Sequence, residues 1–284
     1  QAEPGTKRPW LRLRSDSRDQ NGLGAGGWSF LFRVETQGEL QLRGVDLVID
    51  AESAPAEIPR AVFGLAPDAS LELADCSVTV DGSTTSAVVR LLAEEPTDEA
   101  LAGFVRMPGA AIPIKPSAPA NVRFVDCLIR SSGNLVDAAP GAQLDELRLS
   151  NVVASSTGSL LLGQGRTPST GGEVGATEAR LAVSLRRATV IARGGIVRLA
   201  SSADRPALPV AELSARESIL ATGPEGGALF RVEGQGELDG LGDRVRILES
   251  REVAYHRIDE YRRDQTAQPG TLPVVLDREE WSLS

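Results

Sequence analysis

Aromatic residues make up only 4% of this 284-residue chain, which carries a single methionine. A core without large rings must be filled by Leu, Val, Ile and Ala, which suits stacked β-structure with small, repeated interior slots. The only histidine is His256, which excludes His-rich metal sites and argues against a Ser-His-Asp triad. Two cysteines, Cys76 and Cys127, are too few for a disulfide framework. No apolar run reaches the roughly 18 residues of a membrane-spanning helix. An excess of basic residues is missing as well: the net charge is −9. That excludes the basic footprint of generic nucleic-acid or anionic-membrane binding. The chain shows no signal-peptide pattern and opens at Gln1, so a mature or excised fragment of a longer, membrane-anchored parent is the expectation.

What the chain has is repetition. Leu31-Phe32-Arg33-Val34-Glu35-Thr36-Gln37-Gly38-Glu39-Leu40 returns at Leu229–Leu238 with nine of ten residues unchanged. Weaker copies of the apolar-x-apolar beat, often with a further apolar residue in front, begin at Trp10, Val62, Val88, Leu135, Leu160 and Ile196. A second short strand follows a polar corner in each unit, as in Leu71-Glu72-Leu73 or Val122-Arg123-Phe124. A third comes two or three residues later, as in Val78-Thr79-Val80 or Leu128-Ile129. Three short strands per coil of about two dozen residues predict a parallel β-helix. The chirality of parallel connections makes it right-handed.

The expected architecture is therefore all-β: a right-handed, single-stranded parallel β-helix of about eight coils. Residues 1–238 form the helix, with insertions at 94–120 and 165–179 leaving from one corner and a shorter excursion at Ser201–Pro209. Residues 239–284 form the last coil and a C-terminal cap, where Tyr255, His256, Tyr261 and Trp281 concentrate.

Residues such as Leu71-Glu72-Leu73-Ala74-Asp75-Cys76-Ser77-Val78 and Val122-Arg123-Phe124-Val125-Asp126-Cys127-Leu128-Ile129 resemble the pectin-lyase-like right-handed parallel β-helix superfamily. The resemblance covers roughly Trp10 to Ile247. More narrowly, it is to β-helix regions outside the membrane in large bacterial anchored proteins, including receptor-type serine/threonine kinases. It implies extracytoplasmic placement, in the periplasm or at the cell surface of a bacterium, and a scaffolding or binding role. No kinase motif is present, and no outward Asp cluster maps to the calcium site that the superfamily's lyases would need.

Stacking equal positions places Arg12, Arg33, Gly64, Arg90, Asp137, Leu162, Arg198 and Arg231 in one outward column. Arg33, Arg90, Arg198 and Arg231 are the candidate ligand-binding residues, a ridge for an acidic glycan or a carboxylate-bearing protein. The same column is also readable as a neutralised ladder, with Glu35, Glu233 and Asp137 as counter-charges. Asp75, Asp126, Asn151 and Glu217 precede the third strand, as corner residues or as a cation site. Cys76 and Cys127 follow two of these corners and should stack inward, as free thiols or as a disulfide. Glu94, Glu95, Asp98 and Glu99 read as a solvated face, and Gly22–Gly27 and Gly223–Gly227 as turns.

No catalytic residue, metal ligand or cofactor is assigned. The leading expectation is a non-catalytic extracytoplasmic β-solenoid module that serves as a scaffold or binds glycan or protein. The alternative is a carbohydrate-active enzyme, a polysaccharide lyase or glycoside hydrolase, using the inserted loops and the Arg column as its cleft. Convergence of two carboxylates and an arginine in one groove would mark it. A third expectation is an assembly protein that pairs through a flat β face.

Overall fold

The computed structural model describes residues 10–14, 29–50, 60–82, 86–93, 118–166, 179–202, 206–224, 226–234, 242–266 and 274–277. The expected insertions at 94–120 and 165–179 lie almost entirely outside these residues, as do Glu94, Glu95, Asp98, Glu99 and Trp281.

Strands are numbered in chain order. The first position of successive coils is filled by β2 (Ser29–Val34), β5 (Arg60–Leu65), β8 (Ala87–Leu91), β11 (Asn134–Ala138), β14 (Leu161–Gln164), β17 (Val197–Ala200), β19 (Ala228–Gly234) and β21 (Glu260–Thr266). They pair in that order, all parallel, and an antiparallel β22 (Val274–Asp277) closes the row against β21. The second position holds β3 (Glu39–Arg43), β6 (Ser70–Ala74), β9 (Ala120–Val125), β12 (Leu144–Ser150) and β15 (Arg180–Arg186). The third holds β1 (Trp10–Arg14), β4 (Asp46–Asp50), β7 (Ser77–Asp81), β10 (Leu128–Ser131), β13 (Val153–Ser156) and β16 (Thr189–Ala192). The long strands β18 (Val210–Ala221) and β20 (Val245–His256) run through both of these positions, so the second and third rows form one bent sheet. Every third strand pairs with its equivalent, which is the connectivity of stacked coils and is consistent with a parallel β-solenoid. Among the described residues, no helix is long and apolar enough to cross a membrane.

Trp10–Leu13 does not occupy the first position expected of it. Trp10 pairs with Asp46 in the third row, so Arg12 leaves the Arg33 column. An apolar-x-apolar beat fits either row, and only the pairing partner distinguishes them. The first row gains β21 at its other end, where Glu260-Tyr261-Arg262-Arg263 lacks the apolar beat.

The core follows from alternation. In β6 the inward Leu71 and Leu73 are buried while Glu72 is only partly so; in β9 Val122 and Phe124 alternate with exposed Asn121 and Arg123. The doubled apolar start of the first-row strands has a separate cause. The successive amides of Leu135 and Val136 both donate to the next coil, to Ser159 O and Leu160 O, each at 2.9 Å. Two consecutive donors aimed at one neighbour mark a bend that breaks the period of two, and both side chains are fully buried in the core. Phe32 and Phe63 stack inside the lowest coils with centroids 5.5 Å apart.

The corner between second and third strands has one backbone conformation throughout. Gly44, Asp75, Asp126, Asn151, Arg187, Glu217 and Glu252 all have φ between 49° and 66°. The Asp75, Asp126 and Asn151 amides each reach a carbonyl of the following coil at 2.9–3.0 Å. Asn151 also donates from Nδ2 to Asp126 Oδ1 at 2.6 Å. The corner reading of Asp75, Asp126, Asn151 and Glu217 accounts for all of these contacts. Gly, Asn and Asp tolerate this conformation, whereas a β-branched side chain there is strained. Arg187→Val is therefore expected to cost about 1–2 kcal/mol in urea denaturation, while Arg187→Asn leaves stability unchanged or slightly raised. Equal stability of both variants would remove the strain argument.

Gly165 and Ser201 follow the first row at equivalent corners, and just beyond them Arg166 pairs with Ala207 in an isolated antiparallel bridge. Arg166 N donates to Ala207 O at 2.8 Å, and Ala207 N to Arg166 O at 3.2 Å.

Candidate functional site

On the first row, registered pairing produces the outward column Arg33, Gly64, Arg90, Asp137, Leu162, Arg198, Arg231 and Arg263. It does not bring the four candidate arginines together. Arg33 is exposed and paired with Glu35 at 3.1 Å. Gly64 separates it from Arg90, and Phe30 covers that glycine so closely that a Cβ would lie 2.7 Å from its ring. Arg90 is buried, with 7% exposure, and its guanidinium holds the Asp137 carboxylate on the next coil. Gln164 Nε2 also donates to Asp137, at 3.0 Å, as does Asn134 Nδ2 at 3.4 Å. Burial pushes the Asp137 carboxyl above its usual range, and the Arg90 charge with these hydrogen bonds only partly pulls it back.

Arg198 and Arg231 do stand on adjacent coils. At about 5 Å two guanidinium charges repel by roughly 1 kcal/mol in water and several-fold more near a protein surface. Glu233 offsets this by accepting from Arg198 at 2.7 Å. Arg231 is half-buried between Arg198 and Arg263, and no carboxylate among the described residues pairs with it. Arg263 is held by Glu260. Most of this column is thus a neutralised ladder, with Arg231 as its least compensated cation. Cys76 and Cys127 are both buried free thiols. Among the described residues, no three His, Cys, Asp or Glu side chains converge as metal ligands.

A second site lies on the outward face of the second row and owes its shape to two β-bulges. In β12 the pairing shifts between Leu144 and Leu147, so Asp145 and Glu146 occupy the place of one residue. In β20 it shifts after the Leu213–Ile247 pair, so Leu248 stands out of register with 58% exposure. A bulge re-aims side chains and bends the strand. Between them, β15 and β18 present the small outward residues Ala182, Ser184 and Ser214. The result is a groove of about 280 Å³ lined also by Asp145, Glu146, Arg180, Glu212 and Leu248. Arg180 grips Glu212 with Nε at 2.7 Å and Nη2 at 2.5 Å. Glu146 accepts from Arg148 at 2.8 Å. Asp145 is exposed at the rim.

The groove therefore holds carboxylates, an arginine and two hydroxyls within one depression, on the sheet opposite to the expected Arg column. Sequence reasoning missed it, although two signals were present. Leu144-Asp145-Glu146-Leu147 has two polar residues between apolar ones where a strand should have one, and Ile247-Leu248 doubles an apolar residue where alternation should continue.

The third row shows a flat apolar column. Leu128, Val153, Thr189 and Ile219 stack in register, and Leu128, Val153 and Ile219 are 57%, 48% and 46% exposed. No family model and no curated protein matches the chain.

Proposed function

We propose that this chain is a right-handed parallel β-helix module of the pectin-lyase-like kind. It is placed outside the cytoplasm of a bacterium and acts, without catalysis, as a scaffold that binds a glycan segment. The observation that supports this reading is the bulge-framed groove. Its volume is near the lower bound of small-ligand sites, enough for about one sugar ring. Ser184 and Ser214 supply hydroxyls, Asp145 and the paired Glu146 and Glu212 accept hydrogen bonds, Arg180 donates, and Leu248 offers an apolar edge. That is the mixed donor and acceptor set a polyol requires.

The groove also favours the alternative to this extent: three carboxylates and an arginine line it. Glycoside hydrolysis needs two opposed carboxyl groups across a sugar. Here Glu146 is engaged by Arg148 and Glu212 by Arg180, which leaves Asp145 at the exposed rim without a second unengaged carboxylate opposite it among the described residues, an arrangement that favours binding over bond cleavage.

Glycan-array screening followed by calorimetry tests the reading. Ala182→Trp fills the groove from an outward position without entering the core, and should weaken any glycan found by at least about tenfold, roughly 1.4 kcal/mol. Unchanged affinity in this variant would remove the groove from the account, and release of new reducing ends by the wild-type chain would establish the enzymatic alternative.

A further inference from the structure

Cys76 and Cys127 occupy the same position on neighbouring coils. Ser77 pairs with Leu128 in register, and the Leu128 amide donates to Cys76 O at 3.0 Å. The position points inward just past the Asp75 and Asp126 corners, and both residues are buried. Each thiol is held by backbone carbonyls. Cys76 Sγ lies 3.2 Å from Ala74 O and 3.4 Å from Leu42 O, and Cys127 Sγ lies 3.1 Å from Val125 O and 3.4 Å from Leu73 O. Registered strands place the two Cα atoms about 4.8 Å apart, inside the window of about 4.4–6.8 Å that a disulfide accepts.

We propose that Cys76 and Cys127 are an inter-coil disulfide site, closed during folding in an oxidising compartment. The bond would staple the coil of β6 and β7 to the coil of β9 and β10. Between these strands lies the longest stretch of chain separating successive coils, residues 92–119. Closing that stretch carries the largest loop entropy in the stack, so a covalent link here constrains the unfolded chain most.

The step needs a disulfide oxidant of the glutathione class. The Cys76 thiolate attacks one sulfur of glutathione disulfide, forming a mixed disulfide and expelling one glutathione thiolate. The Cys127 thiolate then attacks the Cys76 sulfur and expels the second. Two protein thiols are oxidised, one glutathione disulfide is reduced, and the two protons pass to the released glutathiones. The two cysteines stand at equivalent positions, so the step balances in the same way with either one as the attacking group. Burial shields the pair in the finished stack, so closure belongs to the folding chain.

The test is to refold the full chain with and without glutathione disulfide and measure intact mass under denaturing, non-reducing conditions. The expected result is a loss of about 2 Da with no alkylatable thiol, reversed by dithiothreitol. The oxidised form should melt higher than the reduced form by on the order of 10 °C. A Cys76→Val/Cys127→Val variant should fold and be indifferent to the oxidant, because Val45 and Val152 fill this position on the coils below and above. Two alkylatable thiols after oxidative refolding, or one glutathione adduct on each cysteine, would overturn the proposal. So would equal melting temperatures of the oxidised and reduced forms.

Discussion

Replacing Arg90 with Met should destabilise the fold by about 3–5 kcal/mol, whereas Arg90→Met/Asp137→Leu should lie within about 1 kcal/mol of wild type or above it. The pair is buried on both sides, with side-chain exposures of 8% and 6%. Taking both charges out of water costs several kcal/mol per ion, which their attraction only roughly offsets. Removing one partner leaves the other charge in place without its counter-charge. Gln164 and Asn134 still donate to Asp137, but neither carries a charge. Urea denaturation of wild type, both single variants and the double variant closes a cycle that isolates the coupling. Additive single effects would show that the two groups do not depend on each other.

The same pair has a pH signature. Burial raises the Asp137 carboxyl above its unfolded value of about 3.9. A raised folded value means its contribution to stability is fully present below about 3.9 and is lost as pH rises through the folded value. Without Arg90 the attraction holding the carboxyl down is gone and the folded value rises further. The deficit of Arg90→Met relative to wild type should therefore shrink as pH falls from 7 toward 4. A deficit that grows on acidification would contradict a buried, Arg-compensated carboxylate.

The adjacency of Arg90 and Asp137 was legible in the sequence because equal positions on successive coils must stack. The burial of Arg90 was not. Alternation says which side of a strand a residue faces, and an arginine between Val89 and Leu91 faces outward. Nothing in those residues states whether the outer face is covered. The corners were partly legible: Asp75, Asp126 and Asn151 belong to the types that tolerate positive φ, while Arg187 and Glu252 adopt it because their neighbours on the stack do. Cys76 and Cys127 followed directly from the corners. The groove was hidden because a bulge is a local fault in the pattern, and reading for the pattern passes over it. Trp10 was misplaced, and the first-row strand of the expected last coil, β21, was not identified, for one reason. At the ends of a stack a strand has a coil on one side only, so the apolar beat that identifies a row weakens or loses its distinguishing partner.

Phe124→Ala should cost about 3–5 kcal/mol, and Phe124→Leu less than about 1.5 kcal/mol. Phe124 is fully buried and stacks in register between Leu73 and Leu149, in a column that continues through Leu42 and Leu185. Four leucines in that column show that the interior slot accepts Leu, so the conservative change keeps most of the contacts. Truncation to Ala leaves a void that the coils above and below cannot close, because their backbones are tied to β9 by ladder hydrogen bonds on both sides. The location matters as much as the size. In a stack each coil contacts only its neighbours, so stability is a chain of nearest-neighbour terms. Leu42 belongs to the lowest coil of the same column and is only partly buried, so Leu42→Ala should cost about 1–2 kcal/mol. Weakening the middle should do something that weakening the end does not, dividing one cooperative unit into two. In Phe124→Ala the urea slope should fall along with the midpoint. Amide exchange should accelerate first in β6, β9 and β12, while β17 and β19 stay protected. Equal costs at Leu42 and Phe124, with an unchanged slope in both, would mean that the chain unfolds as one indivisible core and that the nearest-neighbour description fails.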